Sequence, residues 1–401
     1  MKKSNCKITN KKIEKVIDFG KMPIANGFLK KKDFKKEFFY NLSVSFSEKL
    51  SLLQLNDYPN PKKMFHSNYP FYTSSSNFMK YHFKKYAEWA KNKYLKKNNH
   101  KIIEIGSNDG TFLKNFKNSQ IDLLGFEPSK NVSDIANKNG VNSLNKFFTR
   151  GNLEKAERFI GKTDVIFGAN VVCHIPNLIE FIKTADVLLN DKGKIIFEEP
   201  YLGSMYKKIS YDQIYDEHIF IFSITSIKKI FDLFDFQLID AIQQKTHGGS
   251  MRYVLQRKRS NTPDKKVKLM LEKEKRNHID NLQGALNFKK NCELSKERLI
   301  DKLKKIKKEG KIICGYGATS KSTTILNYCD IGADMIDCIF DTTPNKIGKF
   351  SPGKHIPIKD HKFFSKKFYD YSFLFAWNHK KEIEKKEKKY LKIGGRWITH
   401  L

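Results

Sequence analysis

The 401-residue sequence predicts an α/β fold with a doubly wound, parallel-sheet unit in the middle of the chain. A second, smaller unit of the same kind is expected at the C-terminal end, and a small unit of different make at the N-terminal end. Three observations predict this. Between about 98 and 257, short apolar runs alternate with helical patterns, as a parallel sheet with crossover helices requires. The first of these runs, Lys101-Ile102-Ile103-Glu104-Ile105, stops at a glycine turn, Gly106-Ser107-Asn108-Asp109-Gly110, which leads into a helical stretch. The same grammar of strand, glycine turn and helix returns at Ile312-Ile313-Cys314-Gly315-Tyr316-Gly317-Ala318-Thr319-Ser320-Lys321.

The N-terminal stretch carries two short strand patterns, Val16–Gly20 and Leu50–Leu55, separated by a loop with Met22-Pro23-Ile24-Ala25-Asn26-Gly27-Phe28. The polar aromatic loop Tyr69–Ser76 feeds a helix over about Asn77 to Lys93. In the central unit, strands are expected at Leu123–Phe126, Asp164–Asn170 and Lys194–Pro200. A helix over about Thr225 to Phe234 precedes a closing pair, Phe236–Ile242 and Met251–Gln256, joined through His247-Gly248-Gly249-Ser250 and expected to form an antiparallel edge. A Lys/Glu-rich stretch with helical Leu and Ile spacing then reads as one long connector, with Thr262-Pro263 as its N-cap and first helical residue. Strands Met335–Asp341 and Tyr371–Trp377 complete the expected C-terminal unit. The divisions expected are 1–75, 76–257, 258–310 and 311–401.

The central glycine turn is where a ligand would approach the backbone, since Gly106 and Gly110 have no Cβ. The second strand ends on Glu127-Pro128, and an acid at that place holds a ribose diol in nucleotide-binding α/β folds. The turn lacks the GxGxxG pattern that receives a pyrophosphate. Glu104 inside the first strand suits a cationic, phosphate-free cofactor. Together these point to S-adenosylmethionine, with Glu104, Gly106, Ser107, Asn108, Asp109, Gly110, Phe112, Glu127, Pro128, Ala169 and Asn170 as candidate contacts. In the C-terminal unit, Gly315, Tyr316, Gly317 and Lys321 at a helix N-terminus suit an anion such as a nucleotide phosphate.

The net charge of +33 raises a nucleic-acid surface as a possibility. The charge is mostly Lys and runs along the whole chain, which is the pattern of solvated faces, so no nucleic-acid partner is expected. The six cysteines have no CxxC spacing, and neither a disulfide framework nor a zinc site is indicated. No window reaches the length of a membrane span and no leader pattern opens the sequence, so a cytoplasmic enzyme, monomer or homodimer, is expected.

Chemistry is expected at Tyr211-Asp212-Gln213-Ile214-Tyr215-Asp216-Glu217-His218, after the strand ending at Pro200 and therefore over the ligand-binding edge of the sheet. His218 beside Glu217, with Tyr215 nearby, offers a base, an orienting carboxylate and a phenol donor. His174 would converge on the same mouth, and His247 introduces the last hairpin.

The chain resembles the sugar C-methyltransferase family, which methylates carbon 3 of nucleotide-linked 4-keto deoxysugars. The resemblance rests on Asp18-Phe19-Gly20, Pro23, Ala25-Asn26 and Phe28; on Tyr72-Thr73-Ser74-Ser75-Ser76 and Glu104 to Gly110; and on Gly125-Phe126-Glu127-Pro128, Tyr215 to His218, His247 to Ser250 and Gly315 to Ala318. It implies a class I S-adenosylmethionine-methyltransferase Rossmann-like central domain, an N-terminal zinc-binding domain and a C-terminal domain that helps hold the nucleotide sugar. It also implies His218 as the base, with Tyr215, Glu217, His174 and Tyr72 beside it, and His247 with the C-terminal glycine turn as substrate contacts. Asp216 stands where many relatives have another His. Relatives carry two CxxC pairs near the N-terminus; here only Cys6 remains, with Thr9, Ser47 and Leu50 at the other three places, so zinc is not expected. The rival readings are an O-methyltransferase on a sugar or other small metabolite and, from charge alone, an RNA methyltransferase.

Overall fold

The computed structural model describes residues 4–401 apart from 66, 68, 97–98, 118–119 and 259–263, and apart from the side chains of 62 and 63. Three sheets organise it. The central sheet has seven strands: His100–Ile105, Ile121–Phe126, Ser143–Leu144, Thr163–Ala169, Leu189–Pro200, Phe236–Gln244 and Ser250–Arg257. Numbered one to seven along the chain, they lie in the order 6-7-5-4-1-2-3. The first strand therefore sits inside the sheet, where Ile102, Ile103 and Ile105 are buried. Crossovers leave it in opposite directions, and the crevice between them opens at the carboxyl ends of the strands.

The closing pair forms the antiparallel edge expected, with Ser250–Arg257 as its inner strand, antiparallel to both neighbours. The edge strand, Phe236–Gln244, consequently runs parallel to the rest. Burial explains the order: Met251, Tyr253, Val254 and Leu255 are all buried, so this strand is covered on both faces.

The N-terminal sheet contains Ser4–Asn5, Lys12–Pro23, Phe39–Ser47 and Leu52–Leu55. Phe39–Ser47 was not among the expected strands. Its mark is the alternation of Leu42, Val44 and Phe46 with Ser43, Ser45 and Ser47, all of them buried. The fifth strand of this sheet is Phe220–Ile221, which pairs antiparallel with Leu52–Leu55. The chain just after His218 is thus pinned to the N-terminal unit.

The connector is two helices, Lys265–Arg276 and Leu282–Lys308, rather than one. The expected cap Thr262-Pro263 lies outside the described residues, and Asp264 caps the first helix by accepting from the Lys266 amide. A Cβ on Gly284 would stand 1.6 Å from the His278 carbonyl oxygen, so the turn between the helices passes too close to the start of the second for any other residue. The longer helix buries Phe288, Cys292, Leu299, Leu303 and Ile306.

The C-terminal sheet is fully parallel, with strands Ile313–Tyr316, Ile339–Asp341, Ile358–Asp360, Tyr371–Leu374 and Arg396–Ile398 in the order 3-2-1-4-5. Val16, Phe19, Val44 and Phe46 of the N-terminal sheet share one core with Ile325, Leu326, Ile339 and Phe373 of this unit. At about 1.5–3 kcal/mol for each large apolar side chain buried, that shared core holds the two ends of the chain together. No helix among the described residues is long and apolar enough to cross a membrane.

Candidate active site

A cavity of about 1260 Å³ opens at the carboxyl edge of the central sheet and extends to the glycine turn of the C-terminal sheet. Its cofactor end is built from strand ends. Gly106 follows the first strand with φ +65°, a conformation that favours glycine. A Cβ there would stand 2.8 Å from Val171 Cγ2, so the space that excludes a side chain belongs to the neighbouring turn as well as to a ligand. Glu127 ends the second strand. Its Oε2 accepts the Asn108 amide at 3.0 Å and its Oε1 accepts the Ser129 amide at 2.8 Å. Each oxygen keeps acceptor capacity beyond these bonds, which suits a diol. Gly106, Asn108, Glu127, Pro128, Ala169 and Asn170 all line this end.

Other expected contacts are set behind the wall. Glu104 is buried beneath the floor, and burial, with Asp109 and Glu127 nearby, pushes its carboxyl well above the usual range. Ser107 Oγ pairs with Ser143 Oγ at 3.1 Å. Gly110 has φ +75° and packs on Val141 and Ala136, and Phe112 is core among Tyr86, Phe116 and Phe167. Asp109 Oδ2 accepts the Ser74 amide at 2.8 Å, while Asn108 Oδ1 accepts the Thr73 amide at 3.0 Å. These two side chains clip the Tyr72–Ser75 loop onto the cofactor turn. The Tyr72 hydroxyl in turn accepts from Asn131 Nδ2 at 2.7 Å, and the residue lines the cavity.

The reacting end is built around His218. Its Nδ1 lies 2.6 Å from the Gln213 carbonyl oxygen, which can only accept, so Nδ1 carries the proton and donates. Nε2 is then the basic nitrogen, and the Tyr215 hydroxyl donates to it at 2.9 Å. Burial holds the imidazole down at about 4, so it is neutral at physiological pH. The Gln213 carbonyl, not the orienting carboxylate foreseen in Glu217, sets the tautomer. Glu217 instead accepts from Asn26 Nδ2 at 2.8 Å. Asp216 is buried with both oxygens 3.3 Å from the Ala25 amide, and burial beside Glu217 raises its carboxyl well above normal.

His174 stacks on His218 with ring centroids 5.3 Å apart, and its buried Nε2 has no hydrogen-bond partner among the described residues. Glu199 holds the turn beneath it: Oε1 accepts the Val171 and Val172 amides at 3.0 and 2.7 Å, and burial lifts this carboxyl to about 7. His247, at φ +50°, has its Nε2 3.0 Å from Asn170 Nδ2, which donates. His174, His218 and His247 all line the cavity.

From the C-terminal unit, Tyr316, Gly317 and Lys321 reach the cavity, whereas Gly315 is a buried strand residue packed on Phe375 and Ile339. Sequence reasoning missed Asn26, Asp341, Lys346 and Asn378, which also line it. Asn26 joins the units, giving Nδ2 to Glu217 and taking the Ser320 hydroxyl at 3.0 Å on Oδ1. The Ala25-Asn26 pair belonged to the resemblance, and that was the available signal.

The strand order, the glycine turn and the acid at the end of the second strand define an S-adenosylmethionine-dependent methyltransferase. Three family models match successive parts of the chain: "Putative zinc binding domain" over 6–65, "Methyltransferase domain" over 78–241 and "C-methyltransferase C-terminal domain" over 245–401. The chain is similar to the C-methyltransferase NovU of Streptomyces niveus, at 28% identity over 96% of this chain and 92% of that one. Among solved structures it is similar to the PH0226 protein of Pyrococcus horikoshii, at 14% identity over 50% of this chain and 100% of that one, with a TM-score of 0.38. Another is the plantazolicin methyltransferase BpumL in complex with SAH, at 15% identity over 45% and 85%, with a TM-score of 0.36. The enzyme is an S-adenosylmethionine-dependent C-methyltransferase.

Proposed function

We propose that the enzyme methylates a carbon next to the ketone of a nucleotide-linked keto-deoxysugar, with His218 as the base. The observation that carries this reading is one cavity that joins the cofactor end, a neutral buried histidine and the glycine turn of a second α/β unit. S-adenosylmethionine, when bound, supplies an electrophilic methyl group on a sulfonium. A carbon nucleophile must first lose a proton, because a C–H bond beside a ketone is only weakly acidic. Nε2 of His218 takes that proton once the substrate displaces the Tyr215 hydroxyl from it. The freed hydroxyl can then donate to the oxygen on which negative charge develops. The Gln213 carbonyl steadies the imidazolium through Nδ1–H.

The two α/β units divide the substrate between them. The central unit, read as 76–257, holds the cofactor and the reacting carbon. The C-terminal unit, read as 311–401, holds the nucleotide, with Lys321 as the cation for its phosphates. His174 and His247 line the sugar's place, and Tyr72 closes the cofactor end.

The test is incubation with a panel of nucleotide-linked 4-keto sugars and S-adenosylmethionine, with products read by mass spectrometry. A second arm in deuterium oxide omits the cofactor. One sugar in the panel should gain a methyl on carbon and should exchange the hydrogen beside its ketone without cofactor. A methyl found on oxygen, with no exchange, would sink the reading and favour an O-methyltransferase.

A further inference from the structure

The C-terminal unit repeats the geometry of the cofactor site. In the central unit, a carboxylate at the end of the second strand accepts one amide from the glycine turn, Asn108, and one from two residues further on, Ser129. In the C-terminal unit Asp341 ends the second strand. Its Oδ2 accepts the Ala318 amide at 2.6 Å and its Oδ1 accepts the Thr343 amide at 2.7 Å. Gly317 supplies the positive φ, +85°, that Gly106 supplies in the first unit. Asp341 and Gly317 face the same cavity.

A second observation points to a ligand here. Lys321, in the first turn of the helix Ser320–Tyr328, is 9% exposed and lines the cavity. Its ammonium has three donors, yet among the described residues its one hydrogen bond is a long one, 3.5 Å, to Asn378 Oδ1. It sits 4.9 Å from the Trp377 ring centroid and has no ion pair among the described residues. The buried Asp212 carboxylate supports its charge from beyond ion-pair distance, which leaves donors of the ammonium open to an anion in the cavity. Its charge helps depress both His218 and His247, so the ammonium lies on the reacting side of the glycine turn. Asp341 shares the cavity with the buried Lys346, whose ammonium it supports together with Glu217.

We propose that Asp341 is the pentose-binding residue of the substrate's nucleotide, accepting hydrogen bonds from a ring hydroxyl while Lys321 holds the phosphates. This inference rests on the nucleotide-linked substrate proposed above. It orders the substrate along the cavity: sugar at His218, diphosphate at Lys321, pentose at Asp341. The first two carboxylate contacts go to backbone amides, so the free lone pairs on Asp341 are what the pentose meets, as a diol would meet Glu127.

The test is calorimetry of wild type and Asp341→Asn with UDP, dTDP, the 3′-deoxy analogue of whichever binds, and inorganic diphosphate. Wild type should lose about 10- to 100-fold in affinity when the 3′-hydroxyl is removed, the range of a hydrogen bond to a charged group. Asp341→Asn should lose a similar factor with the intact nucleotide and little more with the 3′-deoxy analogue. Its affinities for inorganic diphosphate and for S-adenosylhomocysteine should stay within about twofold, which shows that the fold and phosphate seat survive. If the variant still discriminates the 3′-hydroxyl as wild type does, or loses diphosphate equally, the assignment is overturned. If neither nucleotide binds wild type, the nucleotide-linked substrate fails and the proposal with it. If a nucleotide binds in the expected pattern but no sugar is methylated, only the reaction reading fails.

Discussion

His218 has different company on its two ring nitrogens, and that asymmetry fixes how it can act. The Gln213 carbonyl holds Nδ1–H, and the Tyr215 hydroxyl points its proton at Nε2. Replacing His218 by Asn keeps polarity and removes basicity. The variant should bind cofactor normally and lose about 10²–10⁴-fold in turnover, the usual share of general-base catalysis. Hydrogen exchange beside the ketone should fall with methylation; exchange at the wild-type rate would move the base to His174. The pH profile follows from burial, which depresses His218 to about 4. The group is unprotonated above that value, so its limb in kcat/KM should lie near pH 4, and activity owed to His218 should be lost only as pH falls toward it. A His218-dependent limb at about 6.5, the solvated value, would contradict the burial seen here.

At the scale of elements, Glu274 shows how a charged connector is tied down. It is the buried residue of the helix Lys265–Arg276 that faces the N-terminus of the helix Ile224–Asp232. Oε1 accepts the Ile224 amide and the Tyr201 hydroxyl, both at 2.8 Å. Oε2 accepts the Thr225 amide at 2.8 Å and its hydroxyl at 2.6 Å. A carboxylate at a helix N-terminus satisfies donors that would otherwise be orphaned. Glu274→Ala should therefore lower stability by about 2–3 kcal/mol in denaturant titration, whereas Glu272→Ala on the exposed face should change it by less than about 0.5 kcal/mol. The sequence presents both as members of one Lys/Glu-rich stretch, and periodicity alone cannot say which faces a helix end. The site divides in the same way. Gly106, Glu127 and His218 were legible because each belongs to a local grammar of turn, strand end or motif. Asn26, apart from the resemblance, and Lys346 were not, because only docking of distant segments brings them to the cavity, while Asp341 ends a foreseen strand as Glu127 does and was passed over. Glu104 and Phe112 misled for a related reason. They are neighbours of the turn in sequence, but their side chains enter the core rather than the mouth.

At the scale of the whole molecule, the N-terminal unit is held by the other two. Its sheet takes its fifth strand from just beyond His218, its core runs on into the C-terminal unit, and Ala25 and Asn26 bind Asp216 and Glu217. A small unit with little core of its own ordinarily needs a metal or a disulfide. Here the four places where the family resemblance implies thiols are Cys6, Thr9, Ser47 and Leu50. Cys6 is 1% exposed and packs in an apolar cluster with Leu50 and Leu52, and the Thr9 hydroxyl is buried without a partner among the described residues. One thiol, one leucine and two hydroxyls do not fit a tetrahedral zinc site, which takes four Cys or His ligands. Among the described residues, the one cluster with metal-ligand character is Cys173, His174 and His218, which belongs to the reacting end. Metal analysis of untagged protein should therefore find well under one zinc per chain, and chelator should leave the unfolding midpoint unchanged. The sharper variant is Cys6→Val. If Cys6 only packs, a similar apolar volume should cost less than about 1.5 kcal/mol. If Cys6 ligates a metal, the variant should lose the metal and several kcal/mol of stability together. One zinc per chain that survives chelator dialysis and disappears in Cys6→Val would show that the unit keeps a metal through other ligands.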